Sequence, residues 1–160
     1  MDAAKKMVAS PRLKIRIAPD CAVGTIVKDM HVVLLGADRI SATGDISNKI
    51  GSLAAACCAK TLGAKIKVVV ISDGDKIVAP NSSHGEAERH GPEEMNWAWR
   101  DETRRQLEQD KAEVFGEWFE WVPAHLIDAY VTENGILDTE GVGRVGRGVA
   151  KLERDIFLCI

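Results

Sequence analysis

Two short runs of almost unbroken apolar residues constrain this chain more than any other feature. They are HVVLLG at 31–36 and KIKVVVI at 65–71. A strand with one face in water alternates apolar and polar residues. A run without alternation suits a strand buried on both faces, as in a parallel sheet. Between the two lies NKIGSLAAACCAKTL, 48–62, an Ala-rich stretch that reads as a helix, with Gly63 placed to end it. Strand, helix and strand at this spacing predict βαβ units with right-handed crossovers. The class is therefore α/β, a mostly parallel sheet with flanking helices.

The rest of the chain is read around that unit. LKIRIA, 13–18, predicts a further strand, broken by Pro19 and Asp20. Residues 20–29 predict a short helix with Asp20 as its N-cap, and SATGDIS, 41–47, a polar loop. Gly, Pro and Ser crowd residues 72–96, which is loop chemistry, and 93–113 is charged and helix-prone. WFEWV, 118–122, predicts a short strand. PAHLIDAYVTE, 123–133, predicts a helix with Pro123 in its first turn and Gly135 past its end. Residues 149–158 are amphipathic and helical in pattern. The division predicted is one α/β domain over 1–140, then a Gly-rich linker and C-terminal helix over 141–160. A chain of 160 residues suits one domain and buries a real core.

Composition narrows the function classes. Apolar residues make up 46% and charged residues 28%, which excludes disorder and a disulfide scaffold. A net charge of −3 gives no broad footprint for DNA or RNA. No apolar run approaches the ~18–20 residues of a membrane helix. MDAAKKMVAS at the start lacks the apolar run of a signal peptide. Cys21, Cys57, Cys58 and Cys159 then read as reduced thiols, and the expected location is the cytoplasm, without membrane attachment.

The strongest candidate site is GADRI, 36–40, with GDISNKIGS, 44–52. Ligands of open parallel sheets bind at the carboxyl ends of strands, and Asp38 falls two residues after an apolar run. Gly36 permits close backbone approach. Asn48 and Lys49 are expected to open the Ala-rich helix, where free N–H groups and the dipole attract phosphate. A plainer reading fits the same residues, with Asp38 pairing with Arg39 and Asn48 capping the helix. GVGRVG, 141–146, matches G-x-G-x-x-G, but no β-rich run leads into it, so a linker is expected rather than a dinucleotide site. His84-Gly85-Glu86 echoes half of the zinc deaminase signature and P-C-x-x-C is absent, so no metal and no cofactor are expected. Cys57 and Cys58 read as buried structural thiols. Cys21 lies near a helix start without an assignable base, and His125 reads as a helix-face residue. Trp118, Phe119 and Trp121 read as core or interface, since no basic residues interleave with them.

Residues 20–60, DCAVGTIVKDMHVVLLGADRISATGDISNKIGSLAAACCAK, and 121–137, WVPAHLIDAYVTENGIL, carry a resemblance. The stretch from about Ile15 to Leu137 resembles the C-terminal domain of one family. It unites the eIF2B α, β and δ regulatory subunits with methylthioribose-1-phosphate isomerase and ribose-1,5-bisphosphate isomerase. The resemblance implies a Rossmann-like sheet, a closing helix within 121–137, and a homodimer or family-type subunit. It implies a catalytic role for Asp38 and phosphate contacts from Gly36, Asn48, Lys49 and Gly51, the ligand being a sugar phosphate or nucleotide phosphate. The aspartate favours the isomerases, because the regulatory subunits usually carry another residue there. The family's helical first domain, its catalytic cysteine and its arginine-bearing segments are not matched. The expectation is therefore a binding, self-associating module with half of an aldose–ketose isomerase site and no turnover of its own. The alternative is an eIF2B-type assembly domain with a vestigial pocket.

Overall fold

In the computed structural model the structure describes residues 14–62, 65–82, 94, 99–109 and 116–157. A short helix α1 (Val23–Ile26), flanked by 3-10 turns, leads to β1 (Val32–Leu35). A small hairpin of β2 (Arg39–Ile40) and β3 (Ile46–Lys49) follows, then α2 (Ser52–Leu62) and β4 (Lys67–Ile71). The chain continues through α3 (Asp101–Gln109), β5 (Phe119–Val122), β6 (Ala129–Thr132) and β7 (Gly135–Leu137), ending in α4 (Thr139–Phe157).

The main sheet has the order β1-β4-β6-β7. Its first two pairings are parallel and the last antiparallel. A second, antiparallel sheet has the order β2-β3-β5. Leu35, Val68, Val70 and Tyr130 face the core from the main sheet, and Ile40, Ile46 and Val122 from the small one. Ala56 and Ala59 of α2 and Val142 of α4 close that core. The α/β class and the mostly parallel sheet are as the two apolar runs predicted.

Several elements differ from the sequence reading. The predicted strand over 13–18 pairs with nothing among the described residues, and Ile15 and Ile17 are exposed. Asp20 is not a side-chain cap; Pro19 holds the cap position of a 3-10 turn. β1 and the central β4 are each buried on one face only, because among the described residues α2 and the small sheet cover one side of the main sheet and no element packs on the side of Val32, Leu34 and Ile71. The expected loop over 41–47 is a tight turn, and β3 begins at Ile46.

Asn48 and Lys49 do not open α2. They end β3, paired with Glu120 and Phe119 of β5. Gly51, at φ +103°, turns the chain so that the helix starts at Ser52. The expected helix over 123–133 is a 3-10 turn at Ala124–Leu126 followed by strand β6. β-branched and aromatic residues in AYVT prefer the ladder beside β4, so the closing element within 121–137 is a β6–β7 hairpin.

The expected linker at 141–146 is the first part of α4. Asp138 Oδ1 accepts the Gly141 N–H at 2.7 Å, and the glycines bring the helix close to Ala42 and Val78. Cys57 is exposed and Cys58 half-buried, because α2 turns Ala56 and Ala59 toward the sheet instead. His125 sits exposed on the 3-10 turn rather than on a helix. Gly63, Cys159 and the HGEAERH stretch at 84–90 lie outside the described residues. Among the described residues no helix is long and apolar enough to cross a membrane.

Candidate functional site

The parallel strands β1, β4 and β6 all end at one rim of the sheet. Each is followed there by polar residues: Gly36-Ala37-Asp38, Ser72-Asp73, and Glu133. They line an open cleft of about 540 Å³, together with Asn48 from the small sheet and Lys76 from the turn after β4. This is where the peptide groups at strand ends face outward and where open α/β sheets hold ligands.

Local bonds fix the rim. The Asp38 N–H donates to Ser47 C=O at 2.9 Å, which carries the chain from β1 into the small sheet and turns Asp38 outward. Ser72 Oγ donates to Ala37 C=O at 3.0 Å, tying the ends of β1 and β4. Glu133 accepts the Gly74 N–H at 2.8 Å, and that bond lowers its pKa. Asn48 Nδ2 donates to Ser52 Oγ at 2.8 Å, leaving its second amide hydrogen and Oδ1 for a ligand. A Cβ added at Gly36 would lie 3.6 Å from Asn48 Oδ1, so the glycine keeps the space beside that amide open. Asp38, Asp73 and Glu133 supply three carboxylates to the cleft, and Lys76 its one lysine.

Of the five residues singled out from sequence, the structure gathers three, Gly36, Asp38 and Asn48. Lys49 and Gly51 lie elsewhere. Successive residues of a strand point to opposite faces, so Asn48 and Lys49 diverge. The Lys49 ammonium stands 4.1 Å from the Trp118 ring centre and 4.2 Å from that of Phe119. Lys49 and Gly51 border a separate, largely apolar groove of about 410 Å³ beneath α1. The N-terminus of α2 is already held by an anion: Glu120 Oε1 accepts the N–H groups of Gly51 at 2.6 Å and Leu53 at 2.9 Å. A groove of about 760 Å³ between the 41–43 turn and α4 carries Arg147 and none of the five.

Sequence reading missed Asp73, Lys76, Glu133 and Glu120. Ser72-Asp73 follows the second apolar run as Asp38 follows the first, so the same strand-end logic finds it. Glu133 was hidden by the helical reading of β6. Nothing local marks Lys76 or Glu120. Among the described residues, no group of three or more His, Cys, Asp or Glu is placed to hold a metal ion.

The initiation factor 2 subunit family matches residues 6–139. Methylthioribose-1-phosphate isomerase of Alkalilimnicola ehrlichii is 36% identical over 120 residues, covering 75% of this chain and 32% of the relative. The protein of that name from Nitratidesulfovibrio vulgaris is 34% identical over 127 residues, covering 78% of this chain and 35% of its own. The chain thus spans about a third of the length of these relatives. Among solved structures, 5-methylthioribose 1-phosphate isomerase from Pyrococcus horikoshii aligns with TM-score 0.67 at 20% identity, over 88% of this chain and 38% of the other. Translation initiation factor eIF-2B subunit delta from A. fulgidus aligns with TM-score 0.66 at 22% identity, over 84% and 39%. The structural likenesses show a common fold.

Proposed function

This chain belongs to the initiation factor 2 subunit family, and from that premise we propose that its strand-end cleft is half of a sugar-phosphate or nucleotide-phosphate site. The family relation runs both to isomerases and to eIF2B subunits. One observation carries the proposal. Asp38 and Asn48, on separate segments of chain, meet beside Gly36 at the carboxyl end of β1.

In this reading Asn48 and Lys76 bind the oxygens of a pentose phosphate. Asp38 holds a sugar hydroxyl or moves a proton at the adjacent carbon. Lys49 and Gly51 stay outside, engaged with the Trp118–Phe119 rings and with Glu120. In an assembled protein the chemistry is aldose–ketose isomerisation. Moving hydrogen between neighbouring carbons and oxygens takes acid and base groups placed around the substrate. This chain lines one side, so alone it binds without turnover. Self-association, as a homodimer or a family-type subunit, is assigned to the exposed Trp118 and the β6–β7 hairpin.

Calorimetry with ribose 5-phosphate and a nucleoside monophosphate tests the site. A Kd on the order of 1 mM is expected, weakened about tenfold by Asn48→Ala or Lys76→Ala. Absence of heat at about 10 mM ligand would sink the reading. It would favour the second one, an eIF2B-type assembly domain with a vestigial pocket. The excess of carboxylates over lysine in the cleft speaks for that alternative. Sedimentation of Trp118→Glu against the parent tests the self-association.

A further inference from the structure

The β2–β3 turn, the chain after β4 and the helix α4 border a groove of about 760 Å³, larger than the strand-end cleft and within the ~300–1,000 Å³ usual for small-molecule sites. Its charge is the reverse of the cleft's. The cleft carries three carboxylates and one lysine, whereas among the described residues the groove carries Arg147 and no carboxylate. Asp45 is the acid nearest the turn in sequence, and it is already engaged. Its Oδ1 accepts the Ala124 N–H at 2.9 Å and its Oδ2 the Thr43 hydroxyl at 2.8 Å. Arg144, three residues before Arg147, pairs with Glu140 at 3.0 Å. Arg147 itself has no carboxylate partner among the described residues.

The packing of α4 sets the guanidinium over this groove. Helical side chains lean toward the N-terminus, so residue 147 covers residue 143. A Cβ added at Gly143 would lie 3.4 Å from Arg147 Nη1 and 3.4 Å from the Ala42 C=O. Glycine there leaves room for the guanidinium to lie along the helix beside the 41–43 turn. On the other wall the Ser82 N–H donates to the Ala79 C=O at 3.2 Å, closing a turn over Pro80 and Asn81. Asn81, at φ +68°, holds the place where a type II turn calls for a positive φ and most often takes glycine. Asparagine tolerates that backbone and adds what glycine lacks, an amide that lines the groove. Neither that amide nor the Ser82 hydroxyl has a partner among the described residues.

We infer that this groove binds a small organic oxyanion, a phosphate monoester or a carboxylate, with Arg147 as its anchor. The guanidinium fork takes two of the oxygens. Asn81 and Ser82 donate to the same head group, and the body of the ligand lies on Ala42, Val78 and Pro80. The site is separate from the strand-end cleft and does not rest on the function proposed for it. Both are built from the same two stretches of chain. The β2–β3 hairpin presents its turn to the groove and Asn48 to the cleft, and the chain after β4 presents Lys76 to the cleft and Val78–Ser82 to the groove. The Val78 N–H, donating to the Ile40 C=O at 2.9 Å, joins the two stretches between the sites.

Phenyl phosphate and benzoate carry the two anions on one apolar ring, and benzamide is the neutral control. Each is titrated into the full chain and followed in its amide spectrum. At least one anion should shift Ala42, Thr43, Asn81, Ser82 and Gly143 saturably, with a Kd on the order of 1 mM, and benzamide should not. The anion that binds more tightly names the head group. Arg147→Ala should weaken binding about tenfold, and Arg147→Lys, which keeps the charge and loses the fork, about threefold. Asn81→Gly keeps the turn and removes the amide, and should weaken binding about threefold. Arg147 and Asn81 are exposed, so these variants fold as the parent does. Arg144→Ala removes an equal charge from the same helix and should leave binding unchanged. Arg147→Ala should also leave the ribose 5-phosphate shifts at Gly36–Asp38 as they are in the parent, which separates this site from the cleft. No shift with either anion at about 10 mM, equal shifts with benzamide, or equal losses in Arg144→Ala and Arg147→Ala would each overturn the site. Anion shifts confined to Gly36–Asp38 and Asn48 would assign the anion to the cleft and overturn it as well.

Discussion

The Glu120 carboxylate on β5 accepts the Gly51 N–H at 2.6 Å, and so fills the helix N-terminus that the sequence offers to a phosphate. The same oxygen accepts the Leu53 N–H, so one side chain serves two of the unpaired donors at the start of α2. Glu120→Ala should cost about 0.5–2 kcal/mol in urea unfolding, as other lost caps do. It should also let inorganic phosphate shift the Gly51 amide, which stays unmoved in the parent. A Gly51 shift of equal size in both proteins would mean that Glu120 does not guard the terminus.

Tyr130 is the only tyrosine of the chain, and its hydroxyl donates to the Gly44 C=O at 2.5 Å inside the core. Burial pushes its pKa up to about 12, with the Asp45 charge adding to the rise and a Thr139 hydrogen bond opposing it. The neutral phenol therefore contributes stability fully below pH 10 and loses it as pH rises through 12. Ultraviolet titration should give a single phenolate transition well above the ordinary value. Tyr130→Phe strands the Gly44 carbonyl and should cost about 1–3 kcal/mol. A transition near pH 10 in the folded protein would contradict the burial.

Asp128 ties the start of β4 to α2. Burial alone would raise its pKa. Hydrogen bonds from Lys60, the Val68 N–H and Lys67 outweigh that and hold it at about 2, below the ordinary 3.8. Its contribution is full above pH 3.8 and fades as pH falls toward 2. Asp128→Asn should cost about 1–2 kcal/mol at neutral pH, reduced from the full linkage value by solvent screening. The gap between variant and parent should close in acid. A gap independent of pH would show that shape, not charge, is what Asp128 supplies.

Two glycines of α4 should respond in opposite directions. A Cβ at Gly146 would meet the Val78 C=O at 2.9 Å and Ala42 Cβ at 3.0 Å, whereas one at Gly148 meets nothing within 4 Å. Gly146→Val should destabilise by about 1–3 kcal/mol through overpacking. Gly148→Ala should stabilise by up to about 1 kcal/mol through helix propensity. Thermal unfolding of the pair measures both. Equal responses would show that α4 does not dock on the Ala42–Val78 surface.

The parallel strands were legible because HVVLLG and KIKVVVI are short apolar runs flanking a helical stretch, although the burial on both faces that such runs imply is found on one face only. Asp38 was legible because strand ends are read directly from such runs. Lys49 and Gly51 were misplaced for a physical reason. N-K-I-G precedes a helix, but the positive φ of Gly51 and the pairing of Asn48 and Lys49 with β5 are decided by residues about 70 positions away. The sequence reads as a helix at β6 because Pro123 does start a helical turn, and only the place beside β4 extends AYVT into a strand. The α4 glycines looked like a linker because their use, close approach to Ala42 and Val78, is tertiary.

On the proposed function, phosphate oxygens settle on Asn48 and Lys76 while a sugar hydroxyl meets Asp38 beside Gly36. The most direct measurement is the amide spectrum of the chain titrated with ribose 5-phosphate to millimolar concentration. The account predicts saturable shifts at Gly36–Asp38, Asn48 and Ser72–Asp73, with Gly51 and Leu53 unmoved. Shifts confined to Gly51 and Leu53, or none at all, would contradict it.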